Sequence, residues 1–363
     1  MNFFRRYQKL HIWLMILAAF FAVYFCLRRS RTAMNWLCGR VLLPLEQALG
    51  RLCGHLSISV AEVLIISAVC TAFFALATLF RKLITAPQKR QTLYRFGMGF
   101  ACAGLTLYAL FCLFWGTLYN TDSFCERSGI SAHGGTVAQL TVLTEKFAGF
   151  VQETADEVPR GENGEVLLAA EDVFLRSQDA FSALYTEFPF LDMPTVPPKA
   201  FVASRAMSAL DFTGFYFPFT GEANLNVDAP GVYLPATCCH EIAHQKGVAS
   251  EQECNFLGIL AALRSEDADF RYSGALMGYV YVSNALYSAD HDAWRAIRST
   301  LPESAIGDLQ MQSDYWAQFA GPVKTVSNRV YDSFLRSNGD EDGIRSYGMV
   351  VDLLLGYKGL QPG

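Results

Sequence analysis

Acidic side chains are almost missing from the first third of this 363-residue chain. Residues 1–120 carry 2 of its 34 Asp and Glu but 13 of its 29 Lys and Arg, a net +11. So lopsided a segment is not an ordinary water-soluble domain, whose surface mixes both signs. Basic charge is scarce in the remainder: residues 121–363 hold 16 Lys and Arg against 32 Asp and Glu, a net −16 within the chain's −5. That acidic part repels phosphate, which excludes nucleic acid as a partner. A regular cysteine framework is also lacking. Cys26, Cys38, Cys53, Cys70, Cys102 and Cys112 fall in the first third, and Cys125, Cys238, Cys239 and Cys254 in the rest, with no even spacing, which excludes a disulfide scaffold.

Long apolar runs are plentiful. Leu10–Leu27, Ile58–Phe80 (broken only by Glu62) and Phe96–Leu118 each reach the length that crosses a bilayer. No small-residue cleavage site follows the first, so it reads as a retained anchor rather than a signal peptide. The expectation is a membrane domain over residues 1–120, with three transmembrane helices at about 10–27, 58–80 and 96–118, and a soluble domain over 121–363. The N-terminal tail (Arg5, Arg6, Lys9) and the 81–95 loop (Arg81, Lys82, Lys89, Arg90, Arg95) hold eight basic residues. The 28–57 loop holds five (Arg28, Arg29, Arg31, Arg40, Arg51). This balance favours a cytoplasmic N-terminus and an extracytoplasmic C-terminal domain. Trp36, Val41, Leu42 and Leu43 suggest an interfacial helix in the 28–57 loop.

The soluble part contains the string His240-Glu241-Ile242-Ala243-His244, an HExxH motif. On a helix the two histidines share one face and reach one metal ion, while Glu241 leaves at a neighbouring angle, placed to act as a general base. Pro235 marks the helix start, Gly247 its end, and Ser250 with Glu253 has the spacing of a capping box for the next helix. A catalytic zinc needs a third protein ligand. Glu251 and Glu253 are nearest, and two residues apart on a helix only one of them can face the metal. Glu251-Gln252-Glu253-Cys254-Asn255 resembles the ExxA(D/N) segment that carries the glutamate ligand in gluzincins, which favours Glu251 and leaves Glu253 to the cap. Cys254 stands where that pattern has alanine. Cys238 and Cys239 lie off the His240/His244 face and read as packing residues. Asn255 is a candidate to orient one of the two histidines.

The soluble domain reads as mostly helical, with helical spacing over Thr136–Val158 and Glu165–Phe188 and from Glu251 to the end, broken near Pro302 and Gly339. Ala200–Val227, rich in aromatics and glycine, reads as a short β-hairpin or sheet before the motif helix. Glu222-Ala223-Asn224 is the candidate for an edge strand that holds substrate by strand addition, the alternative being an ordinary structural hairpin. The fold class is therefore mainly α: three transmembrane helices, then a helical zinc domain with a small sheet.

Gly214 to Asn224, Cys239 to Gln245, Glu251 to Phe256 and the Asp342-Gly343…Ser346-Tyr347-Gly348 stretch together resemble an uncharacterised bacterial membrane family, domain-of-unknown-function family 3810. The resemblance implies a membrane-bound, gluzincin-like zinc protein of a bacterium. The expected chemistry is amide hydrolysis with one Zn2+ per chain on His240, His244 and Glu251, and Glu241 as general base. Tyr347, in the family-like segment, is the first candidate to stabilise the oxyanion, with His291 second. Expected partners are the lipid bilayer and a peptide or protein substrate, cell-wall peptide cross-links included. The alternative is a non-enzymatic membrane sensor or assembly factor that keeps its metal site, although such a protein needs no Glu241.

Overall fold

The computed structural model describes residues 3–132, 134–337 and 347–361. Helix accounts for 72% and strand for 3% of it, so the chain is mainly α. Three helices, Gln8–Leu27, Val60–Thr85 and Lys89–Gly116, are long and apolar enough to cross a membrane, and they suggest membrane association. The third begins ahead of its apolar run because Lys89–Arg95 is itself good helix-forming sequence.

The chain divides into two compact units, Met1–Leu45 with Val60–Thr121, and Glu46–Ser59 with Asp122–Gly363. Inside the first, Trp13 Nε1 donates to Thr106 Oγ1 at 2.9 Å and His11 Nε2 pairs with Tyr94 Oη at 2.7 Å. These bonds tie the first and third apolar helices together. The second unit draws Glu46–Ser59 out of the loop between the first two apolar helices.

The second unit is a helical bundle with a small sheet packed against helices Ala170–Ser182 and Leu234–Gln245. Helix Val137–Thr154 starts at a capping box between Thr136 and Gln139. The next helix is shorter than its apolar spacing predicts, Ala170–Ser182. Arg160 and Val166 form an isolated antiparallel bridge, and the Gly161 N–H donates to the Glu165 carbonyl, which commits residues 160–169 to a turn. After Glu251 the chain forms helices Glu251–Leu263, Ala268–Ala289, His291–Arg298, Glu303–Ala317, Pro322–Ser337 and Tyr347–Gly356. The break expected near Gly339 lies outside the described residues. Glycines set the closest approaches. A Cβ on Gly278 would meet the Phe147 ring at 2.0 Å, so only glycine there lets Ala268–Ala289 lie against Val137–Thr154.

The sheet has three strands, β1 (Lys199–Ala200), β2 (Gly214–Phe217) and β3 (Glu222–Leu225), in the order β1-β3-β2. β2 and β3 are antiparallel, with Phe215 opposite Asn224, while β1 runs parallel to β3, with Lys199 opposite Asn224. Gly221, at φ 67, completes the turn between β2 and β3. This order corrects the reading of Glu222-Ala223-Asn224 as an edge strand. β3 is the middle strand and all four of its residues are buried, because Lys199 returns from 23 residues upstream to pair with Glu222 at 2.7 Å. The strands at the sheet's two edges are β1 and β2.

Residues 46–59 pack on this sheet. Tyr216 Oη donates to Glu46 Oε2 at 2.8 Å, Ser59 Oγ donates to Asn224 Oδ1 at 2.6 Å, and Lys199 Nζ donates to the Cys53 and Ile58 carbonyls. The Gly221 backbone meets Gly50 so closely that a Cβ on Gly221 would lie 2.8 Å from the Gly50 nitrogen.

Candidate metal centre

The motif helix, Leu234–Gln245, is buried at every position. Pro235 occupies its first turn, where no N–H partner is needed. It ends in a double turn: the Gly247 N–H donates to the His244 carbonyl at 2.9 Å and the Val248 N–H to the Ala243 carbonyl at 3.2 Å. Gly247 sits at φ 79, the left-handed conformation that such a helix stop requires. Ser250 then caps helix Glu251–Leu263, its Oγ accepting the Glu253 N–H. The two helices lie side by side at Gly258, where a Cβ would come 2.9 Å from the Ala236 carbonyl and 3.1 Å from the His240 nitrogen.

This hairpin brings His240, His244 and Glu251 together, with one ligand atom from each within 4.8 Å of the others, a group that could hold a metal ion. His240 Nε2 lies 3.2 Å from Glu251 Oε2, and His244 Nε2 lies 3.7 Å from Glu251 Oε1. The other ring nitrogens are committed elsewhere. His240 Nδ1 donates to Asn255 Oδ1 at 2.9 Å, and His244 Nδ1 donates to the Val248 carbonyl at 2.8 Å. Both acceptors fix the tautomer that leaves Nε2 as a lone-pair donor toward Glu251. The Val248 carbonyl comes from the helix-stop turn, so the glycine that ends the helix also orients the second histidine.

The Glu251 carboxyl is held well below the usual range: burial alone would raise it, but His244 and His240 outweigh that effect. Glu241 is 3% exposed, and burial pushes its carboxyl above its ordinary value, with Glu251 adding to the rise and the two histidines opposing it. Among the described residues no protein group bonds its Oε2. Gly214, the first residue of β2, lies directly against it, because a Cβ there would fall 2.6 Å from Glu241 Oε1.

The neighbouring acid turns away. Glu253 is 2% exposed and accepts the N–H groups of Phe124 and Cys125 at 3.1 and 2.9 Å, so its carboxylate caps helix Phe124–Ser128 rather than its own. Cys238 and Cys239 are fully buried with thiols raised by burial, and no cysteine joins the metal-type group among the described residues. Cys254 Sγ lies 3.3 Å from His244 Nδ1, its thiol pushed up to about 12 chiefly by burial. His291 is exposed, and its ring packs on Tyr287 and Trp294. Tyr347 opens the last helix, and its side chain lies outside the described residues, as do Asp342, Gly343 and Ser346.

Sequence reasoning did not single out the placement of Gly214 over Glu241 or the roles of two residues that follow the motif. Gln245 pairs with both the N–H and the carbonyl of Val196, at 3.2 Å each. Lys246 is wholly buried, its Nζ donating to Tyr185 Oη at 2.5 Å and to the Met193 carbonyl. Burial lowers its ammonium to about 8. A lysine beside a buried histidine motif was the available signal.

A model of the family described as protein of unknown function (DUF3810) matches residues 40–355, which include every residue of this centre. The chain belongs to the DUF3810 family. No curated protein and no solved structure matches it. In this DUF3810 protein the matched stretch also contains Glu46–Ser59, the segment packed on the β-sheet.

Proposed function

We propose that this DUF3810 protein is a membrane-anchored zinc metallopeptidase of gluzincin type that hydrolyses peptide bonds. The observation that carries the reading is the convergence of two oriented imidazole Nε2 atoms and one carboxylate beside a second, buried carboxylate, one of whose oxygens has no hydrogen-bond partner among the described residues. Tetrahedral zinc with bonds of about 2.0–2.1 Å separates neighbouring ligand atoms by roughly 3.3–3.4 Å. The three ligand atoms lie within 4.8 Å of one another, close enough for the side chains to draw in around one ion, and each histidine Nε2 has a Glu251 oxygen near it, His240 at 3.2 Å and His244 at 3.7 Å. His240, His244 and Glu251 would hold the ion, one per chain, with the fourth position left to solvent or substrate. Zinc there supplies Lewis acidity, which makes water nucleophilic near neutral pH and polarises a carbonyl.

The chain's own residues do the remainder. Glu241 takes the proton of the attacking water on its Oε2 and delivers it to the leaving amine. Its burial raises proton affinity, which suits a group that must hold the proton between the two steps. Asn255 and the Val248 carbonyl keep the imidazoles turned toward the metal. Tyr347 remains the candidate for oxyanion stabilisation. With β3 enclosed, the substrate strand is assigned to the edge of β2 instead, whose first residue lies against Glu241.

The proposed topology has a cytoplasmic N-terminus, three spans and an extracytoplasmic metal domain in a bacterial membrane. Residues 46–59 and 122–363 form one compact unit, which three crossings allow, since the segments after the first and third spans emerge on the same face. The basic residues favour the cytoplasm for the opposite face. The reading is tested by incubating detergent-purified, zinc-loaded protein with a mixed peptide library, with Glu241→Gln as control. Cleavage by the wild type alone supports it, whereas equal cleavage by both proteins contradicts it.

A further inference from the structure

The sheet and the metal hairpin are hydrogen-bonded to stretches of chain that adjoin apolar helices. Ser59, the last residue of Glu46–Ser59, is one peptide bond from Val60, where the second apolar helix begins. Its Oγ donates to Asn224 Oδ1 on β3 at 2.6 Å. The Ile58 carbonyl accepts from Lys199 Nζ on β1 at 3.0 Å, and Glu46 Oε2 accepts from Tyr216 Oη on β2 at 2.8 Å. All three strands are therefore pinned to this one segment. A second tether serves the hairpin. Phe124 and Cys125, which follow closely on the end of the third apolar helix at Gly116, give their N–H groups to Glu253, two residues after Glu251.

A helix that crosses a bilayer begins at the edge of the hydrocarbon, so a spanning Val60–Thr85 puts Ser59 in the interfacial layer. The path from Ser59 to the general base is short. Asn224 stands opposite Phe215, the next residue is Gly214, and Gly214 lies against the Glu241 carboxylate. With about 5.5 Å across the strand pair and about 3.8 Å per residue along it, the carboxylate lies within about 22 Å of Ser59 even if every step points the same way. The apolar side chains of the segment suit that position. Leu52, Leu56 and Ile58 are 68%, 51% and 56% exposed, an arrangement that is unfavourable in water and favourable in a membrane interface.

We infer that the metal centre works at the membrane surface and that its substrate is a polypeptide anchored in the same bilayer, cut in the extended stretch just outside it. An extended chain advances about 3.4 Å per residue, so one leaving the bilayer reaches the depth of the carboxylate within about seven residues. Its anchor holds it at a high effective concentration that a freely diffusing peptide lacks. The inference rests on the metallopeptidase reading and adds a substrate class to it.

The test uses full-length protein in nanodiscs and reads depth and substrate separately. For depth, the centre is loaded with Co2+ and quenching of a fluorophore on the lipid headgroups is measured, with His240→Ala as control. Wild type with bound Co2+ is expected to quench, and His240→Ala is not. Bound Co2+ without quenching overturns the surface placement and leaves the metal site standing. No Co2+ uptake overturns the metallopeptidase reading as well. For substrate, zinc-loaded protein is given a randomised peptide of about ten residues, either free or fused to a single transmembrane helix in the same disc. Cut sites are located by mass spectrometry, with Glu241→Gln as control. The anchored peptide is expected to be cut roughly tenfold or more faster, within about seven residues of its anchor. Equal rates, or cuts only further out, overturn the substrate class and leave the metallopeptidase reading standing. No cutting of either peptide overturns both.

Discussion

Gly214 and Glu241 are in contact across two elements that are separate in sequence: a methyl group on Gly214 would lie 2.6 Å from Glu241 Oε1 and 3.0 Å from its Cγ. The edge strand is therefore fitted to the carboxylate by the absence of a side chain. Gly214→Ala is expected to displace the carboxylate and reduce kcat/KM on the order of 100-fold, the usual consequence of about 1 Å of misplacement. Zinc content is expected to stay at that of the wild type, since no metal-type ligand touches the substitution. Parallel assays of turnover and bound zinc check this, and a loss of zinc along with activity would count against it.

Asn255 holds His240 by a single 2.9 Å hydrogen bond. Asn255→Ala is expected to weaken zinc binding by roughly 10- to 100-fold, because the imidazole loses the acceptor that fixes its tautomer. Competition against a fluorescent zinc chelator reads the affinity. An unchanged value would show that the histidine is oriented by something else.

Glu251 and Glu253 are two residues apart and predict opposite phenotypes. Glu251→Ala is expected to abolish stoichiometric zinc binding while leaving the apo-protein folded. Glu253→Ala removes the acceptor of one buried and one part-buried backbone N–H and is expected to lower stability by about 1–3 kcal/mol for each that stays unsatisfied. It should still bind one zinc. Thermal unfolding and metal analysis of the two variants side by side separate these roles.

Much of the centre was legible because it is local. The i, i+4 histidines, the proline start, the glycine stop and the serine cap all act within one helix hairpin, so short-range rules decide them. The choice between Glu251 and Glu253 was legible for the same reason, since residues two apart on a helix diverge. What escaped depends on contacts between distant segments. Nothing near Glu222 announces that Lys199 will cover its open side and make β3 the middle strand. Residues 165–169 have helical spacing, yet a bridge from Arg160 to Val166 claims them. Glu46 and Gly50 sit between two apolar runs, and their packing against Tyr216 and Gly221, about 170 residues away, has no local signature.

Glu46 also sets a pH dependence. Burial raises its carboxyl from an ordinary 4.5 to about 8, partly offset by the Tyr216 hydrogen bond. The folded state therefore holds this proton more tightly than the unfolded chain. The associated stability is fully present below about 4.5 and is lost as pH rises toward about 8. Glu46→Gln keeps the shape without the titration. Between pH 5 and 8 the wild type is expected to lose melting temperature more steeply than Glu46→Gln. Parallel curves for the two proteins would contradict the assignment.

The central claim is that His240, His244 and Glu251 hold a catalytic zinc served by Glu241. Metal content of the detergent-purified protein, measured for wild type, His240→Ala and Glu241→Gln, tests it most directly. The account predicts about one zinc per chain in the wild type and in Glu241→Gln, and close to none in His240→Ala. A wild type that takes up no metal after zinc is resupplied, or a His240→Ala that binds as much as the wild type, would contradict it.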